Sequence, residues 1–180
     1  MKENLTKGIA LVAGVTAAVD GSVLTVKGPK GEVKRNFLHP QVKLSLKDGK
    51  IILAASKATK REKTVMGSFA AHILNMVKGV QHPHIYKLKI CSGHFPMNVS
   101  VSGRDVTVKN FLGEAVPRKI KVTEGAVVKV NGDEIEVSSA DKEVAGQAAA
   151  QIETLCKVTN RDRRIFQDGC YITHKSGKDI

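Results

Sequence analysis

Val65-Met66-Gly67-Ser68-Phe69-Ala70-Ala71-His72-Ile73 recurs later in the chain as Val144-Ala145-Gly146-Gln147-Ala148-Ala149-Ala150-Gln151-Ile152. The valine, glycine, two alanines and isoleucine keep their places at a spacing of 79, and Lys78 meets Lys157 at the same spacing. Two earlier blocks match in the same order. Thr25-Val26-Lys27, with Gly31-Glu32 beyond it, reads like Thr107-Val108-Lys109 with Gly113-Glu114, at a spacing of 82. Asp48-Gly49-Lys50-Ile51-Ile52-Leu53 parallels Gly132-Asp133-Glu134-Ile135-Glu136-Val137, a polar turn followed by an extended apolar stretch. Three blocks in one order mean two copies of one small domain, 1–80 and 81–180, meeting near Gly79 to Ile90.

Each copy has short alternating strands followed by one helix. In the first, Asp20-Gly21 between Val15–Val19 and Val23-Leu24-Thr25-Val26 is a hairpin signal. The helix is expected from about Lys57 to Lys78, with Val65, Met66, Phe69, Ala70, Ile73 and Val77 on one face and Gly79 as its stop. In the second copy Ser138 or Ser139 is the expected cap, Asp141 and Glu143 favour the first turn, and Val144, Ala148, Ile152 and Leu155 form the stripe. Alanine-rich stripes let a helix approach a sheet closely. The expected class is α+β: two tandem, mostly antiparallel sheets, each with a helix packed on one face.

The 180 residues hold 29 Lys and Arg against 17 Asp and Glu, a formal net charge of +12, and the isoelectric point is near 9.7. With 42% hydrophobic residues the chain can bury a core, so wholesale disorder is excluded. No run approaches the roughly 20 apolar residues of a membrane-spanning helix. The charge points to a polyanionic partner. It is also segregated: 1–80 carries 14 basic and 5 acidic residues, whereas 123–155 carries 2 basic and 7 acidic. The pieces flanking that acidic stretch, 81–122 and 156–180, are basic again, so the second domain has one acidic and one basic edge. Five Phe, two Tyr and no Trp, without regular interleaving, predict contacts to phosphates and shape rather than base readout.

Cys91, Cys156 and Cys170 have no CxxC spacing and suit a reducing cytosol, with Cys156 on the apolar helix face as core. Lys2 and Lys7 ahead of the apolar run Gly8–Ala18 resemble a short signal peptide; a first strand leading to the Asp20-Gly21 hairpin is the reading favoured here. His82, His84, Cys91 and His94 match no metal-ligand spacing. Cys91 and His94 lack a legible orienting group or oxyanion motif, and no Walker loop, GxSxG or HExxH occurs. The expectation is no enzyme, no metal and no cofactor.

Phosphate candidates are clearer. Arg161, Arg163 and Arg164 crowd one loop after Lys157, and Arg118, Lys119 and Lys121 follow the Lys109–Glu114 turn. Lys87 and Lys89 lie in the same basic flank. Gly28-Pro29-Lys30-Gly31 has the spelling of a phosphate-clamping GxxG but joins two strand-like runs. It is expected to be a tight turn with Lys30 at its tip.

Gly28-Pro29-Lys30-Gly31-Glu32, His94-Phe95-Pro96-Met97, Asn110-Phe111-Leu112-Gly113-Glu114, Val144-Ala145-Gly146-Gln147 and Phe166-Gln167-Asp168-Gly169-Cys170-Tyr171-Ile172 together carry a resemblance. The chain resembles, from about Val15 to Thr173, the universal large-subunit ribosomal protein six family, numbered nine in the older eukaryotic scheme. The archaeal and eukaryotic branch fits best. The resemblance implies a structural component of the large subunit in the cytoplasmic ribosome. It implies contact with large-subunit rRNA near the sarcin–ricin loop and stalk base, beside neighbouring large-subunit proteins and where translational GTPases dock. In that family the second domain supplies most RNA contacts, which carries the Asn110 to Glu114 turn, Arg118 and the segment from Lys157 to Lys175 into the candidate set, where His94 and Lys109 stand beside them. Two positions depart from the family: Ser92 stands where relatives often have Tyr, and Lys109 where they often have Arg, keeping charge without a bidentate fork. The alternative is a free-standing basic RNA-binding or RNA-chaperone module.

Overall fold

Alternation of branched apolar and polar residues builds the chain's short antiparallel strands, and the helices form only where that alternation gives way to the Ala-rich stripes. A computed structural model describes residues 3–47 and 49–180. The first copy runs β1 (Glu3–Ala10), β2 (Thr16–Asp20), β3 (Val23–Gly28), β4 (Gly31–Asn36), β5 (Val42–Lys47), β6 (Lys50–Ala58) and α1 (Lys60–Gln81). The second runs β7 (His84–Cys91), β8 (Asn98–Ser102), β9 (Asp105–Lys109), a 3-10 turn at Phe111–Gly113, β10 (Arg118–Lys121), β11 (Val127–Asn131), β12 (Glu134–Ser139), α2 (Lys142–Leu155), β13 (Gly169–Lys175) and β14 (Lys178–Asp179). Two compact units result, divided between Pro83 and His84. The class is α+β.

The sheets repeat strand for strand. Orders β2-β3-β4 and β1-β6-β5 in the first unit become β8-β9-β10 and β7-β12-β11 in the second, where β13 and β14 continue the sheet beyond β7. All described pairings are antiparallel. The cores repeat as well. Leu24 and Val26 correspond to Val106 and Val108, Ile51 and Leu53 to Ile135 and Val137, and Ala70 and Ile73 to Ala149 and Ile152; every one of these is sealed from solvent. Gly146 sits over the Tyr86 ring, where a Cβ would stand 3.2 Å from the phenol oxygen, so the glycine is what lets α2 lie this close to β7.

Several boundaries differ from the sequence expectation. The Gly8–Ala18 run is not one strand but is shared between β1 and β2, with Gly14 at φ +82° between them. α1 starts at Lys60 rather than Lys57, because β6 continues to Ala58 and Lys57 itself has φ +51°. Its start is held by a capping box in which the Thr59 N–H donates to Glu62 Oε2 at 2.7 Å. Gly79 does not stop the helix. It is buried within the last turn, and the chain leaves the helix at His82, which is extended ahead of Pro83. The cap of α2 is Asp141, not Ser138 or Ser139: its carboxylate accepts the Glu143 N–H at 2.9 Å, while Ser139 ends β12 and accepts the Asp141 N–H. Lys2 and Asp48 lie outside the described residues.

Candidate nucleic-acid interface

The Gly28-Pro29-Lys30-Gly31 segment closes the β3–β4 hairpin, with Gly28 paired to Gly31. Its backbone is seated on the end of α1: the Lys30 N–H donates to the Val80 carbonyl at 3.0 Å. A Cβ on Gly28 would fall within 2.8–2.9 Å of Val80. Lys30 is thus presented on an exposed tip in the first unit, while every other candidate lies in the second.

In the second unit three loops converge. Asn110 takes the left-handed region, φ +59°, and its side chain donates to the Pro96 carbonyl at 3.0 Å, joining the β9–β10 turn to the loop after β7. Gly113 supports the Phe95 ring, whose carbons stand 3.2–3.4 Å from where its Cβ would be. His94 stacks on Phe166 at 5.0 Å between centroids, and Arg161 covers the same ring at 4.9 Å. The buried carboxylate of Asp168 ties these loops down: it accepts the backbone N–H groups of Gly93 and His94, and His94 Nδ1 lies 3.0 Å from its second oxygen. Burial pushes the Asp168 carboxyl up, but those N–H groups and the His94 ring outweigh it and hold it below the ordinary range.

Arg118 joins this cluster from β10. Its guanidinium forms a bidentate pair with Glu114 at 2.6 and 2.8 Å, donates to the Leu155 carbonyl at 2.7 Å, and lies 4.2 Å over the buried Phe111 ring. The Arg118 guanidinium holds the Glu114 carboxyl below its usual range, with Arg161 adding to the effect. Arg118 therefore clamps the end of α2 to the β9–β10 turn, and its donors are largely committed within the fold.

The remaining cations surround this cluster. Lys109 is exposed at the end of β9, and Lys119 and Lys121 point outward from β10 on either side of half-buried Ile120. Lys157 and Arg163 flank a concavity of about 380 Å³ walled by Tyr171, Glu153 and Thr154. Arg164 is exposed but folded back on Asp162, with guanidinium contacts of 2.7–3.2 Å. Lys87 and Lys89 lie away from the loops on the outer face of the second sheet, where Lys87 is 3.9 Å from Glu134. Lys175 is exposed at the end of β13.

Asp168 and Glu114 stand in the quoted motifs, but their anchoring roles and the aromatic grouping were not legible in the sequence. The aromatics are scattered along the chain, and only the loop convergence brings Phe95, half exposed, beside the His94–Phe166 stack. The residues weighed for a metal site are dispersed in function: His84 meets Ser176 at 2.6 Å and His94 meets Asp168. Cys156 and Cys170 are buried partners; their hydrogen bond and burial push the Cys170 thiol up. Among the described residues no helix is long and apolar enough to cross a membrane.

A sequence model described as Ribosomal protein L6 matches residues 12–82 and again residues 95–169, one match in each unit. The chain belongs to the ribosomal protein L6 family. L6 family proteins are structural rather than enzymatic. The chain is 40% identical over 176 residues to the large ribosomal subunit protein uL6 of Methanosarcina mazei, covering 98% of this chain and all of the relative. It is 43% identical to the protein of the same name from Methanococcus vannielii, over 94% of this chain and 93% of the relative. With that of Nanoarchaeum equitans it shares 43% identity over 96% of this chain and 94% of the relative. These L6 relatives are archaeal, and the similarity spans both copies.

Proposed function

We propose that this L6 family protein is a structural constituent of the large subunit of the cytoplasmic ribosome. Its second unit binds large-subunit rRNA through the converging basic loops. The near-full-length similarity to archaeal large-subunit proteins carries this reading. The loop geometry supplies a mechanism. Asp168, Asn110 and Arg118 hold three loops in fixed positions, so that Lys109, Lys119, Lys157, Arg161 and Arg163 meet phosphates without first having to be ordered. A preorganised set of cations binds by counterion release and reads RNA shape. The proposed location is beside the sarcin–ricin loop and stalk base, among neighbouring large-subunit proteins and close to where translational GTPases dock. Lys30, Lys87, Lys89, Lys121, Arg164, Lys175 and His94 complete the proposed contact set.

Sedimentation of the endogenous protein through a sucrose gradient after a high-salt wash tests this. Retention at one copy per large subunit is expected. Release to the top of the gradient would instead favour a free RNA-binding or chaperone module.

A further inference from the structure

The same sheet face is charged differently in the two units, with both signs in the second and only lysines in the described rows of the first. In the second unit, rows across β11, β12 and β7 read Lys129–Glu136–Lys87 and Asn131–Glu134–Lys89, so each lysine of β7 has a glutamate beside it. The equivalent rows across β5, β6 and β1 read Ser45–Ile52–Gly8 and Lys47–Lys50–Ala10. Lys50 thus stands where the second unit has Glu134. The next row, Lys43–Ala54–Thr6, is also free of acid. These residues face away from the core, because Ile51, Leu53 and Ala55, which alternate with them, are the buried ones. A Cβ built on Gly8 meets nothing within 4 Å, so this face is open.

At one end the face runs into a concavity of about 1120 Å³ where the chain leaves β6 for α1, lined by Lys43, Lys57, Lys60 and Arg61. Among the described residues the only acid lining it is Glu62, whose carboxylate is engaged by Thr59 in the capping box. Lys57 is held in the left-handed region, with its N–H on the Asn4 side chain at 3.0 Å. Among the described residues none of these four cations forms an ion pair.

We propose that this face of the first unit binds the phosphate backbone of RNA, a second anchoring surface that stands whether or not the loops of the second unit meet rRNA. Small side chains at Thr6, Gly8 and Ala54 let a backbone approach closely, and the flanking cations neutralise its phosphates. A protein partner would need a buried apolar or aromatic anchor, and Ile52 is the largest apolar side chain in these rows.

The test uses the full-length chain carrying Arg161→Ala, Arg163→Ala and Arg164→Ala, with a labelled 20-base-pair RNA duplex as probe, titrated by anisotropy between about 50 and 200 mM KCl. Adding K43A/K50A/K57A is expected to make the slope of log K against log salt shallower by about 2–3. A charge-matched control, K27A/K34A/K78A, removes cations away from this face and should change it by less than about 1. Equal effects of the two triplets, or no effect of the first, overturn the proposal. NMR spectra of the unmutated chain give the second readout. The duplex should shift the amides of Thr6, Ala54 and Lys57, and unmoved amides also overturn it. So does stronger displacement of these amides by poly-glutamate than by the duplex, which would assign the face to an acidic protein segment.

Discussion

Asp168 shows how much one buried carboxylate can organise. It accepts two consecutive backbone N–H groups and orients the His94 ring, so the loop after β7 is fastened to the start of β13. Asp168→Ala leaves those donors unsatisfied and should destabilise the second unit by about 2–3 kcal/mol, read from urea unfolding. The pH dependence has a definite sign. The folded value lies below the ordinary 3.8, so the stabilisation is complete above that range and is lost as pH falls through the folded value. Acid unfolding of the wild type should therefore be steeper than that of Asp168→Asn. Arg118 is the second organising residue. Arg118→Lys cannot reproduce the bidentate fork together with the Leu155 carbonyl bond. The Glu114 carboxyl should then titrate back toward 4.5, followed by NMR.

Elements here are determined by periodicity but delimited by contacts. The apolar stripes of α1 and α2 were legible because 3.6-residue spacing is written in the sequence. Their ends were not, because Gly79, a stop signal in isolation, is buried inside the last turn of α1 and the helix runs on to Gln81. The β3–β4 turn likewise reads as a turn, but its seat on the end of α1 is invisible without the fold. Gly28→Ala would push a methyl into Val80 and should cost about 1–3 kcal/mol, measured by thermal unfolding, with hydrogen exchange at the Lys30 amide accelerated. Ile152→Asp buries a charge between α2 and its sheet. It should abolish exchange protection in β7, β12 and β13 while β3 and β6 of the first unit stay protected.

At the scale of the whole chain, each unit has its own core of the same pattern, and the two differ in charge. Most loop candidates for rRNA contact cluster in the second unit, and Lys30 stands apart in the first. Replacing Arg161, Arg163 and Arg164 together with Ala should reduce the salt slope of rRNA binding by up to about 3 without unfolding the chain. Arg164 should contribute least of the three, because Asp162 already neutralises it. An unchanged slope would remove this loop from the interface.

The sequence by itself determined the duplication, the α+β class, the composition of both cores and the basic character of the loops. These depend on local spacing and residue type, and burial selects side chains at the same period wherever the copies lie. The tertiary structure alone decided which cations are available and which are committed. Arg118 and Arg161 read alike as basic loop residues, yet one clamps the end of α2 and the other covers the His94–Phe166 stack. Asp168 became an anchor only once β13 was laid beside β7, and the lysine rows of the first unit emerged only when strand register set Lys50 against the position of Glu134. A charge acquires its role from its neighbours, and in a β-rich fold those neighbours are distant in sequence.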